Sequence, residues 1–137
     1  VLVGALVSVG ALRVFSDFLI SILGTDLGFI TVVLLGVSGI VSGIVDNIPY
    51  VTSMIPVLTD LNASLGLADP SPLWWVLATG ADLGGNLTVV GASANIVGIA
   101  IAHREGISLG MWDYAKIGIP LTLLMLLATA PYLLTLS

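Results

Sequence analysis

Long apolar runs separated by short polar clusters set the pattern of this chain, and the lengths of the runs predict helices. Gly28–Val45 offers 18 residues with few polar interruptions. At about 1.5 Å per residue, a helix of this length crosses most of the apolar core of a bilayer. Residues 113–136 form a second long run, with Pro120 and Pro131 as expected bends. We therefore predict a first helical arm from Gly28 and a final span near the end of the chain.

The polar cluster "DNIP", Asp46–Pro49, follows the first arm directly. The next apolar run, Tyr50–Leu61, reaches only about 18 Å as a helix, and acids and prolines come after it. A second full crossing is therefore hard to fit. Residues 28–62 instead predict a re-entrant helical hairpin with Asp46 and Asn47 near its tip. Such backbone is tolerated at membrane depth where protein or a water-filled cavity surrounds it.

A second polar cluster, "GADLGGNLTVVGASAN", divides the apolar residues between 72 and 104. Pro72–Ala81 and Ser93–His103 are helical candidates, and each is about half a bilayer long at 1.5 Å per residue. Together they predict one broken span that unwinds at Gly84 and Gly85.

Residues 1–27 precede these elements. Val1–Leu12 is too short to cross a core that needs about 20 helical residues, so we expect it to end a span. Arg13–Leu23 interleaves polar and apolar residues; this pattern fits a helix in the interface plane or a continuation of the span. The expected fold is all-α and polytopic, with residues 1–137 forming a single transmembrane domain.

Composition supports a membrane protein, because 58% of the residues are hydrophobic and 8% are charged, against roughly 25% charged in soluble domains. The absence of cysteine excludes disulfides and thiolate sites in these 137 residues. Three basic residues and one His argue against a nucleic-acid partner. The first residue is Val and no signal-peptide pattern follows it, so we expect a fragment that begins inside a helix.

The few basic residues indicate an orientation. Arg104 and Lys116 flank the loop Glu105–Asp113, whereas the loop at residues 60–72 holds acids and no Lys or Arg. The positive-inside rule makes the first loop cytoplasmic and the second external. The hairpin is then expected to enter from outside, and the C-terminus to end there.

Acids inside spans are costly and mark candidate functional sites. Asp46 is expected at the C-terminal end of the first arm, and Asp82 at the end of the first half of the broken helix. A helix C-terminus carries partial negative charge, so a carboxylate there calls for a cation or a proton. Oxygens of Asn47, Asn86 and Thr88, with freed carbonyls, would complete a shell for sodium. We predict Asp46, Asn47 and Asn86 as sodium ligands.

The opposite ends of the same interruptions favour negative charge. Pro49 suits the first residue of the second arm, because its missing N–H would be unbonded there. Ser93 has the chemistry of an N-cap for the second half-helix, and Gly91 lies just before it. Two half-helix N-termini meeting near mid-membrane would attract an anion, as they do in secondary transporters.

Other interpretations stay open. The acids and amides also fit a buried polar network in a structural bundle, and a channel would share the same chemistry. Gly91–Asn95 is one residue away from a G-x-S-x-G nucleophile turn. However, His103 would lie about 15 Å along the helix from Ser93, too far for a hydrogen bond. The only support for an intramembrane aspartyl protease is the presence of two aspartates within the membrane segments. We therefore do not expect an enzyme.

Two further patterns predict structural roles. Glycine and serine residues in Gly36–Gly43 suit close helix packing. Three tryptophans are predicted to anchor the chain at the membrane surface: Trp74, Trp75 and Trp112.

Two segments carry a family resemblance. They are "VDNIPYVTSMIPVL" (Val45–Leu58) and "GADLGGNLTVVGASANIVGIAIAHREGISLGMWDYAKIGIPL" (Gly80–Leu121). In this order they resemble the C-terminal part of the ion transporter superfamily, which includes arsenite permeases, sodium/proton antiporters, citrate and dicarboxylate carriers, and P-protein-like transporters. The likeness to the P-protein-like branch extends over nearly the whole chain.

The resemblance implies that this chain is the second of two inverted repeats, each with a re-entrant hairpin and a broken helix. It places Asp46 and Asn47 at the hairpin tip, and it implies that Asn86, Thr88, Ser93 and Asn95 line the facing break and hold sodium and part of the substrate. Where sodium-coupled dicarboxylate carriers use Ser-Asn-Thr runs, this chain has "DNIP" and "GGNLT".

The sequence thus predicts part of a secondary transporter that moves an inorganic or carboxylate anion with sodium or protons by alternating access. Sodium/proton exchange without an organic anion is the alternative within transport, and a structural membrane subunit is the alternative outside it. No cofactor is expected besides the coupling ion. Expected partners are the anion, the lipid bilayer and the upstream half-repeat; a homodimer is also allowed. The expected location is the cell membrane, as a multi-pass protein.

Overall fold

The computed structural model describes residues 21–22, 24–68 and 70–136, and this part of the chain is helical without strands. The all-α prediction is therefore confirmed. The expected end of a span in Val1–Leu12, and nearly all of the expected interfacial helix, lie outside the described residues. The helices are α1 Leu27–Ser42, α2 Asn47–Leu65, α3 Pro72–Gly84, α4 Ser93–Arg104 and α5 Met111–Leu134, with a short 3₁₀ turn at Val89–Gly91.

Side-chain caps explain where the first three helices begin. The carboxylate of Asp26 accepts a hydrogen bond from the Phe29 amide at 2.8 Å. The carboxylate of Asp46 accepts one from the Ile48 amide at 3.3 Å, and the Ser71 hydroxyl accepts one from the Leu73 amide at 3.1 Å. Each cap satisfies one of the amides that a helix N-terminus leaves unbonded.

Helix α2 is longer than the predicted second arm. It has 19 residues, continues through Pro56, and ends before Gly66, whose φ is +66°. Glycine adopts without strain the left-handed backbone conformation that ends many helices. At about 1.5 Å per residue α2 is about 28 Å long, close to the thickness of an apolar core. The helix–turn–helix is present, and its re-entry on one side of a membrane stays a prediction.

Helix α3 packs most extensively on α1, and it also contacts α2 and α5. Glycines permit the close approach: a Cβ at Gly80 would lie 2.8 Å from the Ser38 Cβ, and a Cβ at Gly84 would overlap the backbone of Gly39. The packing role predicted for small residues is confirmed at Gly39 and Gly43, whereas Gly36 has nothing within 4 Å of its Cβ position.

Buried hydrogen bonds join the packed helices. The Ser42 hydroxyl of α1 donates to the Ala81 carbonyl of α3 at 2.6 Å, and the Tyr50 hydroxyl of α2 donates to the Ser38 hydroxyl of α1 at 2.9 Å. They lie beside an apolar core that the helices share: Ile30, Leu34, Leu35, Leu58, Leu61, Leu73, Val76, Leu77, Leu126 and Leu133.

Among the described helices, α5 alone has the length and apolar character of a membrane span, with 24 residues and a mean hydropathy of 1.9 over its best window. Many of its large apolar side chains are exposed, including Leu124 and Leu127. Helix α1 is also apolar but has 16 residues. The exposed apolar surface suits contact with lipid or with further transmembrane helices.

Candidate functional site

The two interruptions of the helices meet in space. The Thr88 hydroxyl, between α3 and α4, donates a hydrogen bond of 2.5 Å to the carbonyl of Gly43, just after α1. A Cβ at Gly91 would lie 3.1 Å from the Gly43 Cα. The turn at residues 43–46 and the break at residues 85–92 therefore form one contact region, here called the tip–break junction.

Asn95 holds the break in shape from the first turn of α4. Its side-chain amide donates to the Gly85 carbonyl at 2.8 Å and to the Thr88 carbonyl at 3.0 Å. The Thr88 hydroxyl also accepts a hydrogen bond from the Gly91 amide at 3.1 Å. Both N–H donors of the Asn95 side chain are thus used to hold backbone carbonyls of the break.

The glycines of the break lie where backbone segments touch. A Cβ at Gly91 would lie 2.7 Å from the Gly85 carbonyl oxygen, and Gly84 abuts Gly39. Helix α5 supports the break from another side, since a Cβ at Gly118 would lie 2.7 Å from the carbonyl oxygen of Asn86. The junction is thus closely packed on several sides.

A cavity of about 610 Å³, here called the α2–α3 cavity, lies between the first turns of α2 and the part of α3 from Trp75 to Leu83. Asn47 and Asp82 both line it, so the structure brings these two predicted site residues together. Thr52 and Thr79 add hydroxyl groups, and Trp75 adds an indole. The Asn86 side chain lies nearby, donating to the Asp82 backbone carbonyl at 3.4 Å.

Asp82 lies in the last turn of α3, two residues before its end at Gly84. The partial negative charge of the helix C-terminus disfavours an ionised carboxylate there. The side chain is exposed within the described chain.

Asp46 has the opposite electrostatic setting to the one predicted. Helix α1 ends at Ser42, four residues earlier, and the Asp46 carboxylate caps the N-terminus of α2. The N-terminal end of a helix dipole stabilises negative charge. The expectation that a helix C-terminus makes Asp46 require a cation was therefore wrong, because the turn between the helices is longer than the sequence suggested.

Two predicted helix starts also differ from the structure. Helix α2 begins at Asn47, so Pro49 is its third residue; this position still lies in the first turn, where amides lack helical partners. Ser93 is the first residue of α4 and not its N-cap. Ala92, with extended backbone, occupies the cap position, and no side chain caps this helix.

The three predicted sodium ligands have different local contacts in the structure. Asp46 caps α2, Asn47 lines the α2–α3 cavity, and no hydrogen bond within the described chain joins either residue to Asn86. The described residues also contain no group of three or more His, Cys, Asp or Glu side chains placed to hold a metal ion. Sodium binding by these residues stays a prediction.

Sequence reasoning missed Thr52 and Thr79, which line the α2–α3 cavity. A signal for Thr79 was present, because it lies three residues before Asp82 and such residues share a helix face. The Gly43 carbonyl was also missed as the acceptor for Thr88, since every residue carries a carbonyl and the residue type gives no hint of its partner.

Comparison with known proteins identifies the family. The sequence model described as "Citrate transporter" matches residues 1–80. A protein of Mycobacterium tuberculosis strain H37Rv, described as an uncharacterized transporter, is 42% identical over 97% of this chain and 31% of its own length. The P protein of Sus scrofa is 39% identical over 75% of this chain and 12% of its own length. No solved structure matches the chain.

The matching family is described as one of transporters, and the Mycobacterium relative carries the description of a transporter as well. The chain belongs to the citrate transporter family. The resemblance to the ion transporter superfamily is therefore confirmed. The chain spans about a third of the length of the first curated relatives that it matches.

Proposed function

We propose that the protein containing this chain is a secondary active transporter that moves an inorganic or carboxylate anion with sodium or protons by alternating access. The observation that carries the proposal is the hydrogen bond from Thr88 to the Gly43 carbonyl, which joins two helix interruptions beside a cavity. Interrupted helices place unpaired backbone donors and acceptors inside a membrane, where substrates and coupling ions bind in such transporters.

The cavity supports a small solute as the cargo. Its volume of about 610 Å³ lies within the range of about 300–1,000 Å³ typical of small-molecule sites. The family description names citrate, so a carboxylate is the first candidate. Thr79 supplies a hydroxyl group and Asn47 an amide for hydrogen bonds to carboxylate oxygens, whereas the Thr52 hydroxyl already donates to the Ile48 carbonyl at 2.8 Å.

The charge of the cavity supports cation coupling. Asp82 is the ionisable residue among its described lining residues. An ionised Asp82 repels an anion, whereas a protonated or cation-paired Asp82 does not. Anion entry is then favoured when a proton or sodium ion neutralises Asp82, and this is a physical basis for coupling.

Sodium/proton exchange is the second candidate, and the same residue favours it. An acid in a cavity whose described lining has no basic residue is suited to exchanging cations without any anion. The two candidates differ in whether an organic or inorganic anion accompanies the cation. A structural subunit, the third candidate, would carry no flux at all.

The proposal also includes the part of the full-length protein that lies outside this chain. The chain spans 31% of the length of the first curated relatives, and we propose that the upstream half-repeat completes the site across the tip–break junction. The whole protein is proposed to be multi-pass in the cell membrane, with the loop after α4 on the cytoplasmic side.

Uptake by the full-length protein in proteoliposomes tests these candidates. Sodium and proton gradients are imposed separately, and uptake of citrate, dicarboxylates and oxyanions is measured against empty vesicles. The proposal expects gradient-driven accumulation of at least one anion. Sodium-driven proton movement without anion uptake would favour exchange, and a folded protein with no flux under any gradient would contradict transport.

A further inference from the structure

A second cavity, of about 390 Å³, lies between α3 and the C-terminal end of α5 and is here called the α3–α5 cavity. It is lined by Trp75 and Thr79 of α3 and, from the other side, by Thr129, Tyr132, Leu133 and Leu136. None of these six side chains carries a charge at neutral pH. The cavity therefore does not repel an anion electrostatically.

The two cavities share part of their walls. Trp75 and Thr79 line both the α2–α3 cavity and the α3–α5 cavity. They lie four residues apart on α3, so they occupy one face of that helix. This pair of side chains is thus the common boundary between the cavities.

The cavities lie at different levels along α3. The α2–α3 cavity extends to Asp82 and Leu83, in the last turn of α3 before the break. The α3–α5 cavity stops at Thr79 on α3 and reaches beyond the end of α5 at Leu136. The second cavity is therefore nearer the ends of α2 and α5, which the distribution of basic residues predicts to be external.

We propose that the α3–α5 cavity is the external entry vestibule for the transported solute, and that Trp75 and Thr79 form the threshold between the vestibule and the α2–α3 cavity. This inference rests on the proposed transport function. Trp75 is 63% exposed in the described chain, so its bulky ring is available to limit the size of a passing solute. Thr79 lines both cavities and carries a hydroxyl group.

Cysteine labelling tests the route without requiring a known substrate. The described segment has no native cysteine, so a single cysteine is placed at Thr79 in the full-length protein after any cysteines elsewhere are replaced. Thr59→Cys is the matched control: Thr59 is an exposed threonine of α2 that lines neither cavity, and its hydroxyl bonds locally to the Ile55 carbonyl at 2.9 Å. Both variants are treated with a membrane-impermeant methanethiosulfonate reagent from each side separately.

The proposal expects Thr79→Cys to react with external reagent and to lose uptake on modification, whereas modified Thr59→Cys retains uptake. Failure of Thr79→Cys to react from outside, or reaction without loss of uptake, would overturn the threshold. Reaction from the cytoplasmic side alone would overturn the proposed side of entry. The labelling result is separate from the transport proposal, because it is read by mass shift even when no solute is moved.

Trp75→Ala supplies a second measurement should Thr79→Cys be poorly folded. A threshold predicts that the smaller side chain raises uptake of larger carboxylates relative to smaller ones, with citrate and succinate as the probes. A membrane-surface anchor predicts equal changes for both probes, and that result would count against the inference.

Discussion

At the scale of single residues, the tip–break junction depends on a few side chains that bond to backbone groups. Thr88 and Asn95 together occupy the carbonyls of Gly43, Gly85 and Thr88. Backbone groups inside a membrane must find partners within the protein. These two side chains therefore satisfy backbone carbonyls on both sides of the junction.

Thr88→Val tests the bond across the junction. The substitution keeps the branched shape but removes both the donor to the Gly43 carbonyl and the acceptor for the Gly91 amide, so we expect a loss of about 1–3 kcal/mol in unfolding free energy. We also expect slower uptake, because the break is no longer fixed against the turn. Thermal unfolding of the full-length protein in detergent measures the first effect. Thr59→Val, which removes only a local bond, should change neither, and equal effects in both variants would contradict the role of Thr88.

Asp46 provides a separate residue-scale prediction. Asparagine caps helices about as well as aspartate, whereas alanine costs about 0.5–2 kcal/mol. Asp46→Asn should therefore leave thermal stability nearly unchanged, and Asp46→Ala should lower it. Comparable destabilisation by both changes would show that the carboxylate charge itself stabilises the fold. With a stable Asp46→Asn protein, sodium dependence of uptake reports on ion binding alone.

At the scale of helices, the crossing of α1 and α3 is set by small residues. The predicted packing role of Gly39 and Gly43 is explained by contacts with Gly84, Leu87 and Leu126. Close backbone approach of this kind is typical of membrane helices, which associate by packing and hydrogen bonds rather than by the hydrophobic effect.

Gly84→Ala should disturb this crossing strongly. The added Cβ would overlap the Gly39 backbone, which has no flexible side chain to move aside, so we expect a loss of about 1–3 kcal/mol. Gly98→Ala in α4 is the matched control, because nothing lies within 4 Å of its Cβ position. Helix propensity alone predicts a neutral or slightly stabilising effect there. The melting temperature of Gly84→Ala should therefore be clearly lower than that of Gly98→Ala. Similar melting temperatures would contradict the importance of the Gly84–Gly39 contact.

The interruption of the long helix was predictable because Gly84 and Gly85 lie among polar residues in an apolar stretch. The end of α2 was misjudged because Asp60 and Asn62 resemble a loop, yet Asn62 is buried within the helix. Gly66 was the actual stop signal. The Thr88–Gly43 bond joins residues 45 positions apart, and local patterns carry no information about such a pairing. The predicted N-cap of α4, Ser93, was wrong by one position, because helix boundaries predicted from sequence patterns are not accurate to a single residue.

At the scale of the whole molecule, the described chain forms a coherent core but offers much uncovered apolar surface. Helix α4 has no buried residues, although Ile96, Val97 and Ile101 lie on it. The first curated relatives are about three times as long as this chain, which spans 31% of them. The coupling proposed for Asp82 is accordingly a property of the full-length protein.

Asp82→Asn tests that coupling. Removing the titratable group should abolish gradient-driven accumulation while anion exchange down a concentration gradient persists, because the cavity stays neutral in every state. Asp60→Asn, in α2 and away from the α2–α3 cavity, should retain accumulation. Both fluxes are measured in proteoliposomes with the anion found in the uptake panel. Undiminished accumulation by Asp82→Asn would refute the role of Asp82 in coupling. If the parent protein carries no anion flux and Asp82→Asn loses all cation flux, sodium/proton exchange would be favoured.

The contact of Gly84 with the Gly39 backbone has a mechanical consequence. Two helices whose main chains touch have no layer of side chains between them that could rearrange. Sliding one helix past the other would therefore bring backbone atoms into steric clash. Any rearrangement during a transport cycle must then carry α1 and α3 as a single rigid body, and the turn after α1 and the break after α3 travel with them. In the proposed transporter the site would then move intact, and the connecting loops at its edges would change conformation.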